Sequence, residues 1–163
     1  MIKRRGQLAS AAMLLMLLAV NPVQAQTSSE HETSEGFHAP HHLSLLPANT
    51  HVRGEGDFAS LGVDYEYRVN QLLGLGVVVE HAFDGLDATT VLAVADVHLH
   101  GGLIMQLGPG VEFVEDHEIF VSRVGVLYEF EFGRFTLSPQ LHWDYHEHHE
   151  NAAVAGLAFG FAF

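Results

Sequence analysis

From His41 to the C-terminal Phe163, apolar and polar residues alternate with a period of two. That is the period of a β-strand, whose successive side chains point to opposite faces. In the segment 61–69, Leu61, Val63, Tyr65, Tyr67 and Val69 share one face; Gly62, Asp64, Glu66 and Arg68 share the other. The same division recurs in the segments 73–81, 91–99, 103–113, 123–132, 135–143 and 155–163. With a weaker first strand over His41–Thr50, the pattern predicts eight strands and no helix. Tight connections are expected at Asn70-Gln71, His100-Gly101-Gly102 and Gly133-Arg134. Longer, more acidic ones are expected at 51–57, 83–88, 115–118 and 146–151. Alternation of short turns with longer loops describes an up-and-down antiparallel barrel.

The N-terminal residues do not share this pattern. Lys3, Arg4 and Arg5 precede an apolar stretch, Leu8 to Val20, and Val23-Gln24-Ala25 offers small residues at a cleavage position. Residues 1–25 therefore read as a signal peptide, the apolar stretch being shorter than the roughly 20 residues a spanning helix needs. Residues 26–40 are polar and aperiodic, a flexible periplasmic lead-in, which leaves 41–163 for the barrel.

Alternation alone is shared by a water-soluble barrel with an apolar interior. Three features favour the opposite orientation, with the apolar face towards lipid. Glycines 62, 74, 76, 108, 110, 125, 156 and 160 lie on the polar face, where a narrow lumen crowded with polar side chains needs space. Beyond the leader there is no lysine, a residue that soluble barrels usually carry on their outer surface. Tyr65, Tyr67, Tyr128, Phe130, Phe132, Phe135, Trp143 and Tyr145 lie on the apolar face near strand ends, as an aromatic girdle would. Pro109 and Pro139 fall inside strands and mark bulges or local breaks.

The final strand, Leu157-Ala-Phe-Gly-Phe-Ala-Phe163, alternates aromatics and closes on a terminal phenylalanine. With the leader and the hairpin rhythm, residues 41–163 resemble the small eight-stranded outer-membrane β-barrels of Gram-negative bacteria. The resemblance implies insertion by the outer-membrane assembly machinery and both termini in the periplasm. It says little about activity, because this scaffold hosts anchors, adhesins, enzymes and narrow pores.

Charge narrows the classes further. Without the leader, Arg53, Arg68, Arg123 and Arg134 face 20 carboxylates, a formal charge of −16, which excludes nucleic acid as a partner. The expected partners are outer-membrane lipid and lipopolysaccharide, and the expected state is a monomer. The predicted lumen gathers Asp64, Glu66, Glu80, Asp96, Glu112, Glu129 and Glu131 with Arg68, Arg123, His98 and His142. Buried carboxylates must be paired, hydrated or protonated. The set reads as a salt-bridged, water-filled plug, or alternatively as a narrow, porin-like cation-selective path.

All 13 histidines follow the leader. His146, His148, His149 and Glu150 in the last loop, with Asp116 and His117 on the same rim, are candidate metal ligands. Imidazole and carboxylate suit Zn, Cu or Ni, and carboxylates alone suit Ca or Mg. No fixed ligand spacing is present, so no cofactor follows firmly from the residues. A lipid A-modifying enzyme, of the serine and histidine type found on such barrels, is the least favoured reading, because no strand serine adjoins a histidine. The chain is thus expected to be a non-enzymatic integral barrel, with divalent or transition-metal cations at its acidic loops.

Overall fold

The computed structural model describes residues 39–83, 85–114 and 117–163. The expected signal peptide, residues 26–38 of the lead-in, and Asp84, Glu115 and Asp116 lie outside the described residues. The strands are β1 (His41–Val52), β2 (Gly56–Arg68), β3 (Leu73–Ala82), β4 (Ala88–His98), β5 (Leu103–Val114), β6 (His117–Tyr128), β7 (Phe130–Phe132), β8 (Phe135–His146) and β9 (Ala152–Ala162). Each pairs antiparallel with its neighbour, and β9 pairs back onto β1, closing the sheet into an all-β barrel. The closure is completed at the chain end. Phe163 and His41 exchange backbone hydrogen bonds of 3.1 and 2.8 Å, and the His41 ring stacks on Phe163.

β6 and β7 are two parts of one strand, so the barrel has eight. Leu127 pairs with Gln140 and Phe130 with Leu137, three steps along each chain with no shift of register. The gap lies where Tyr128 faces Pro139, which has no N–H to donate. Pro47 and Pro109 interrupt their ladders in the same way. Pairing jumps from Leu45–Phe159 to Ala48–Gly156 and from Leu92–Gly110 to Ala95–Leu107, with the register unchanged on both sides. Pro109 and Pro139 are therefore local breaks and not bulges, and all three prolines sit on the exposed outer wall.

The hydrogen-bonded rows climb the barrel. One row runs Arg68–Gly74–Asp96–Gln106–Gly125–His142–Val154–Thr50 and re-enters β2 at Phe58, ten residues along the strand from its start. Eight strands with that stagger enclose an interior only wide enough for side chains to fill.

The connections differ from expectation. At one end, here the loop end, they fall between the strands at residues 53–55, 83–87, 115–116 and 147–151; at the other, where His41 meets Phe163 and here called the terminus end, they fall at 69–72, 99–102 and 133–134. The anticipated contrast in length largely disappears because the strands run into the predicted loops: β1 and β2 pair as far as Val52–Gly56, and β8 extends to His146. The two-residue turn at 133–134 is closed by Gly133, whose φ of 69° suits a residue without a side chain.

The orientation is that expected for lipid. Leu75, Val126 and Leu141 on the outer wall are 50%, 48% and 55% exposed, whereas Leu92 and Val121 in the lumen are fully buried. An apolar wall running around the whole molecule is incompatible with water and matches a hydrocarbon solvent. Aromatics stand at both ends of the wall: Tyr65, Tyr67, Phe135, Phe161 and Phe163 near the termini, Phe83, Phe113, Phe120, Trp143 and Tyr145 near the loops.

Adjacent residues on β6 test this inside-out arrangement. A side chain at Gly125 would run into the His142 ring and the Leu141 carbonyl, whereas Val126 faces outward. Gly125→Leu is expected to abolish the compact form that migrates anomalously on unheated gels, and Val126→Leu to preserve it. Val126→Arg should lower stability in lipid vesicles by about 2–4 kcal/mol, read by urea unfolding.

Candidate functional site: the two-chambered lumen

Glycine makes the lumen possible. A Cβ on Gly74 would collide with the Glu66 carboxylate, one on Gly125 with His142, and one on Gly160 with Thr136 and His42. On Gly76, Gly108 and Gly110 it would meet the backbone of the neighbouring strand. The glycines that share a face with the charges are therefore the space the charges occupy.

Towards the loop end the centre of the network is Arg123, almost wholly buried. Its Nε and Nη2 donate to both oxygens of Asp144 at 2.7 and 2.6 Å, and Nη2 also donates to Glu80 at 2.9 Å. Thr50 donates to Glu80 at 3.1 Å, and its oxygen is hydrogen-bonded to the Ser60 hydroxyl at 3.0 Å. One guanidinium thus ties β6 to β8 and, across the lumen, to β3, with β1 and β2 joined through Thr50. A planar, two-pronged donor on a carboxylate is the strong form of such a bond. Thr90 donates to Glu112 at 3.0 Å, and His146 lies 3.3 Å from the same carboxylate.

Towards the termini Arg68 donates to Glu129 at 2.6 Å, with Glu66 at 3.7 Å and the half-exposed Glu131 at 3.9 Å. His98 pairs with Glu66 at 2.6 Å, and His42 with Thr136 at 2.8 Å. Ten of the eleven residues expected to form a lumen network are buried or partly buried on the inner face, and Glu131 stands at its terminal edge. They form two networks and not one. Asp64, Asp96 and His142 join neither: Asp64 accepts from Gln106, and His142 Nε2 meets Gln140 at 2.8 Å with the ring 1% exposed.

Between the two networks lies an apolar layer. On β4 Leu92 and Val94 separate Asp96 from Thr90; on β3 Val78 separates Gly76 from Glu80; on β1 Leu46 lies between Ser44 and Ala48. Val78, Leu92, Val94 and Val121 pack together as a buried cluster. The residues alone suggested a salt-bridged, water-filled plug and did not reveal this septum. The signal was present in the absence of strict alternation at Val77-Val78-Val79 and Val91-Leu92-Ala93-Val94, where both faces are apolar.

Above the septum the lumen opens into a cavity of about 210 Å³ at the loop end, lined among others by Glu80, Glu112, Asp144, His146, His149 and Glu150. His117 also lines it, but His148 does not; it is exposed, in a left-handed turn beside Glu147. Of the last-loop histidines, His146 and His149 therefore face the cavity and His148 does not. Among the described residues no group of three or more histidines and carboxylates is arranged to hold a metal ion. Asp116 lies outside the described residues.

Two histidines lie within hydrogen-bond reach of a hydroxyl: His81 Nδ1 is 2.9 Å from Thr89, and His42 Nε2 is 2.8 Å from Thr136. His42 Nε2 faces both the Thr136 hydroxyl and, at 3.7 Å, Glu129, so the same nitrogen would have to serve base and orienter. Ser60 is taken by Thr50, and Ser44 and Ser138 are buried in the lumen.

Arg123→Met would leave the buried Asp144 and Glu80 without their cation. A loss of about 3–5 kcal/mol is expected in equilibrium unfolding of the vesicle-inserted barrel. The triple variant with Asp144→Asn and Glu80→Gln should recover most of it; no recovery would mean that packing, not charge, is the source of the loss.

No family model matches the chain, and no curated protein sequence matches it. Solved structures do. Ail, the attachment invasion locus protein of Yersinia pestis, solved in complex with the heparin analogue sucrose octasulfate, is 12% identical with a TM-score of 0.57, covering 76% of this chain and 97% of that one. Neisserial surface protein A is 14% identical with a TM-score of 0.56, covering 77% and 98%. The N-terminal β-barrel domain of Pseudomonas aeruginosa OprF is 16% identical with a TM-score of 0.53, covering 74% and 97%. The fold of this chain is that of the small eight-stranded outer-membrane β-barrels.

Proposed function

We propose that the protein is an integral barrel of the bacterial outer membrane with a non-enzymatic, structural or surface role. The observation that carries this reading is the filled lumen: Leu92, His142, Gln106, Val78, Val121 and Val154 are all essentially inaccessible to solvent. Charged networks brace it on either side of the septum, and each cross-links strands that are not neighbours in the sheet. A pore invests its interior in a continuous wetted path; this barrel invests it in packing.

The described segment begins and ends at one end of the barrel, where Phe163 and His41 close it. The resemblance to small outer-membrane barrels supports placing that end in the periplasm, which would turn the acidic cup lined by Glu112, His146 and Glu150 outward. The short connections limit what the outer rim can grip, so the role fits a compact surface protein or membrane anchor better than a broad adhesin.

Purified, refolded barrel in planar bilayers is expected to give no stepwise conductance. In cells it should fractionate with the outer membrane, with an N-terminal epitope inaccessible from outside until the membrane is permeabilised. Stepwise conductance would overturn the structural role in favour of a cation path. An altered lipid A mass on overexpression would overturn it in favour of an enzyme.

A further inference from the structure

The polar pocket below the septum gathers buried acceptors without donors, whereas the unpartnered buried atoms elsewhere in the lumen belong to Arg68, Arg123, His142 and His146. Asp64 and Asp96 meet Gln106 around a cavity of about 20 Å³, room for one small ion or one water. Gln106 Nε2 donates to Asp64 Oδ2 at 3.0 Å, but one further oxygen on each of the three lining residues, Asp64 Oδ1, Asp96 Oδ1 and Gln106 Oε1, is buried with no hydrogen-bond partner. Asp96 is 4% exposed and Gln106 1%, while Asp64 is partly buried. Turning the Gln106 amide does not help, since it would set its carbonyl against Asp64 in place of a donor.

The nearby positive groups are already engaged. Arg68 and His98 are bound to Glu129 and Glu66, His42 is held by Thr136, and Arg123 lies beyond the septum on Asp144 and Glu80. Two carboxylates are thus left without an ion-pair partner. A single water brings two protons to three acceptors and no charge. Oxygen donors of this kind select a hard cation over a transition metal.

We propose that Asp64, Asp96 and the Gln106 carbonyl bind one hard cation, of the calcium or sodium class, inside the barrel. Two of the donors are carboxylates and the third is an amide oxygen, a set distinct from the histidine-bearing rim. The septum of Val78, Leu92 and Val94 closes the route to the loop end, so the ion enters and leaves past Glu66, Glu129 and Arg68 at the terminus end. The bound ion serves as a brace for β2, β4 and β5, three strands that the Arg123 network does not tie together at this level.

The test uses the full mature chain folded in zwitterionic lipid vesicles and stripped with chelator. Thermal unfolding is followed at pH 8 while CaCl2 or NaCl is titrated, and bound metal is counted by elemental analysis. The expected result is a saturable rise in midpoint for one of the two salts, with about one ion retained per chain. Asp96→Asn and Gln106→Leu should weaken the response tenfold or more, while Glu150→Gln at the rim leaves it intact. A rise that survives Asp96→Asn would overturn the proposal in favour of binding elsewhere. No saturable rise for either salt, with Asp64→Asn/Asp96→Asn more stable than wild type from pH 5 to 9, would overturn it in favour of a proton shared by the two carboxyls. If Asp96→Asn does not fold, Gln106→Leu and Gln106→Glu decide: the first should lose the response and the second keep it, and no difference between them overturns the proposal.

Discussion

Room inside the barrel is the constraint on which everything else rests. Eight strands with a ten-residue stagger leave an interior no wider than its side chains. Several of its larger polar side chains enter where a facing position gives up its own side chain. Glu66 lies over Gly74, His142 over Gly125, and Thr136 with His42 over Gly160. The glycines weaken the strands locally, at a cost of about 0.5–1 kcal/mol each relative to alanine. That cost is offset by buried, charge-assisted hydrogen bonds that reach across the lumen, which no ladder between neighbouring strands can do.

The same constraint explains why the charges separate into two groups. A carboxylate in a narrow interior needs a cation within hydrogen-bond reach, and the inner face supplies few: Arg68 and Arg123, with His42, His98 and His146 beside them. Each arginine gathers the acids around it, and the level between them is filled with aliphatic side chains. The outcome is a barrel braced at two heights and closed in the middle. Breaking one member of a buried set costs more than the set contributes as a whole, because the orphaned charge remains.

Much of this was legible in the residues. Period-two alternation located all eight strands, and glycines sharing a face with charges revealed which face was the lumen. What alternation could not convey was pairing at a distance. That Arg123 meets Glu80 depends on the stagger of the closed sheet, which no single strand encodes. The septum was hidden for a related reason: Val78, Leu92 and Val94 sit in runs where both faces are apolar, so their inward direction is invisible to a two-state pattern. Loop lengths were overestimated because polar residues at strand ends, such as Asp57 and His146, looked like loop although they pair in the ladder. The expected convergence of the last-loop histidines did not take account of strand parity, which turns His146 inward while His148 stands in the turn.

The central claim is that an aliphatic layer divides the lumen into two chambers reached from opposite ends. The chain contains no cysteine, so single cysteines report on access without background. The most direct measurement is the rate at which a small, charged, membrane-impermeant thiol reagent modifies Thr90→Cys, Leu92→Cys and Ser44→Cys barrels in vesicles of known orientation. The two-chamber account predicts that Thr90→Cys reacts only from the loop end, Ser44→Cys only from the terminus end, and Leu92→Cys from neither. Modification of Leu92→Cys from either side, or of Thr90→Cys from both, would contradict it.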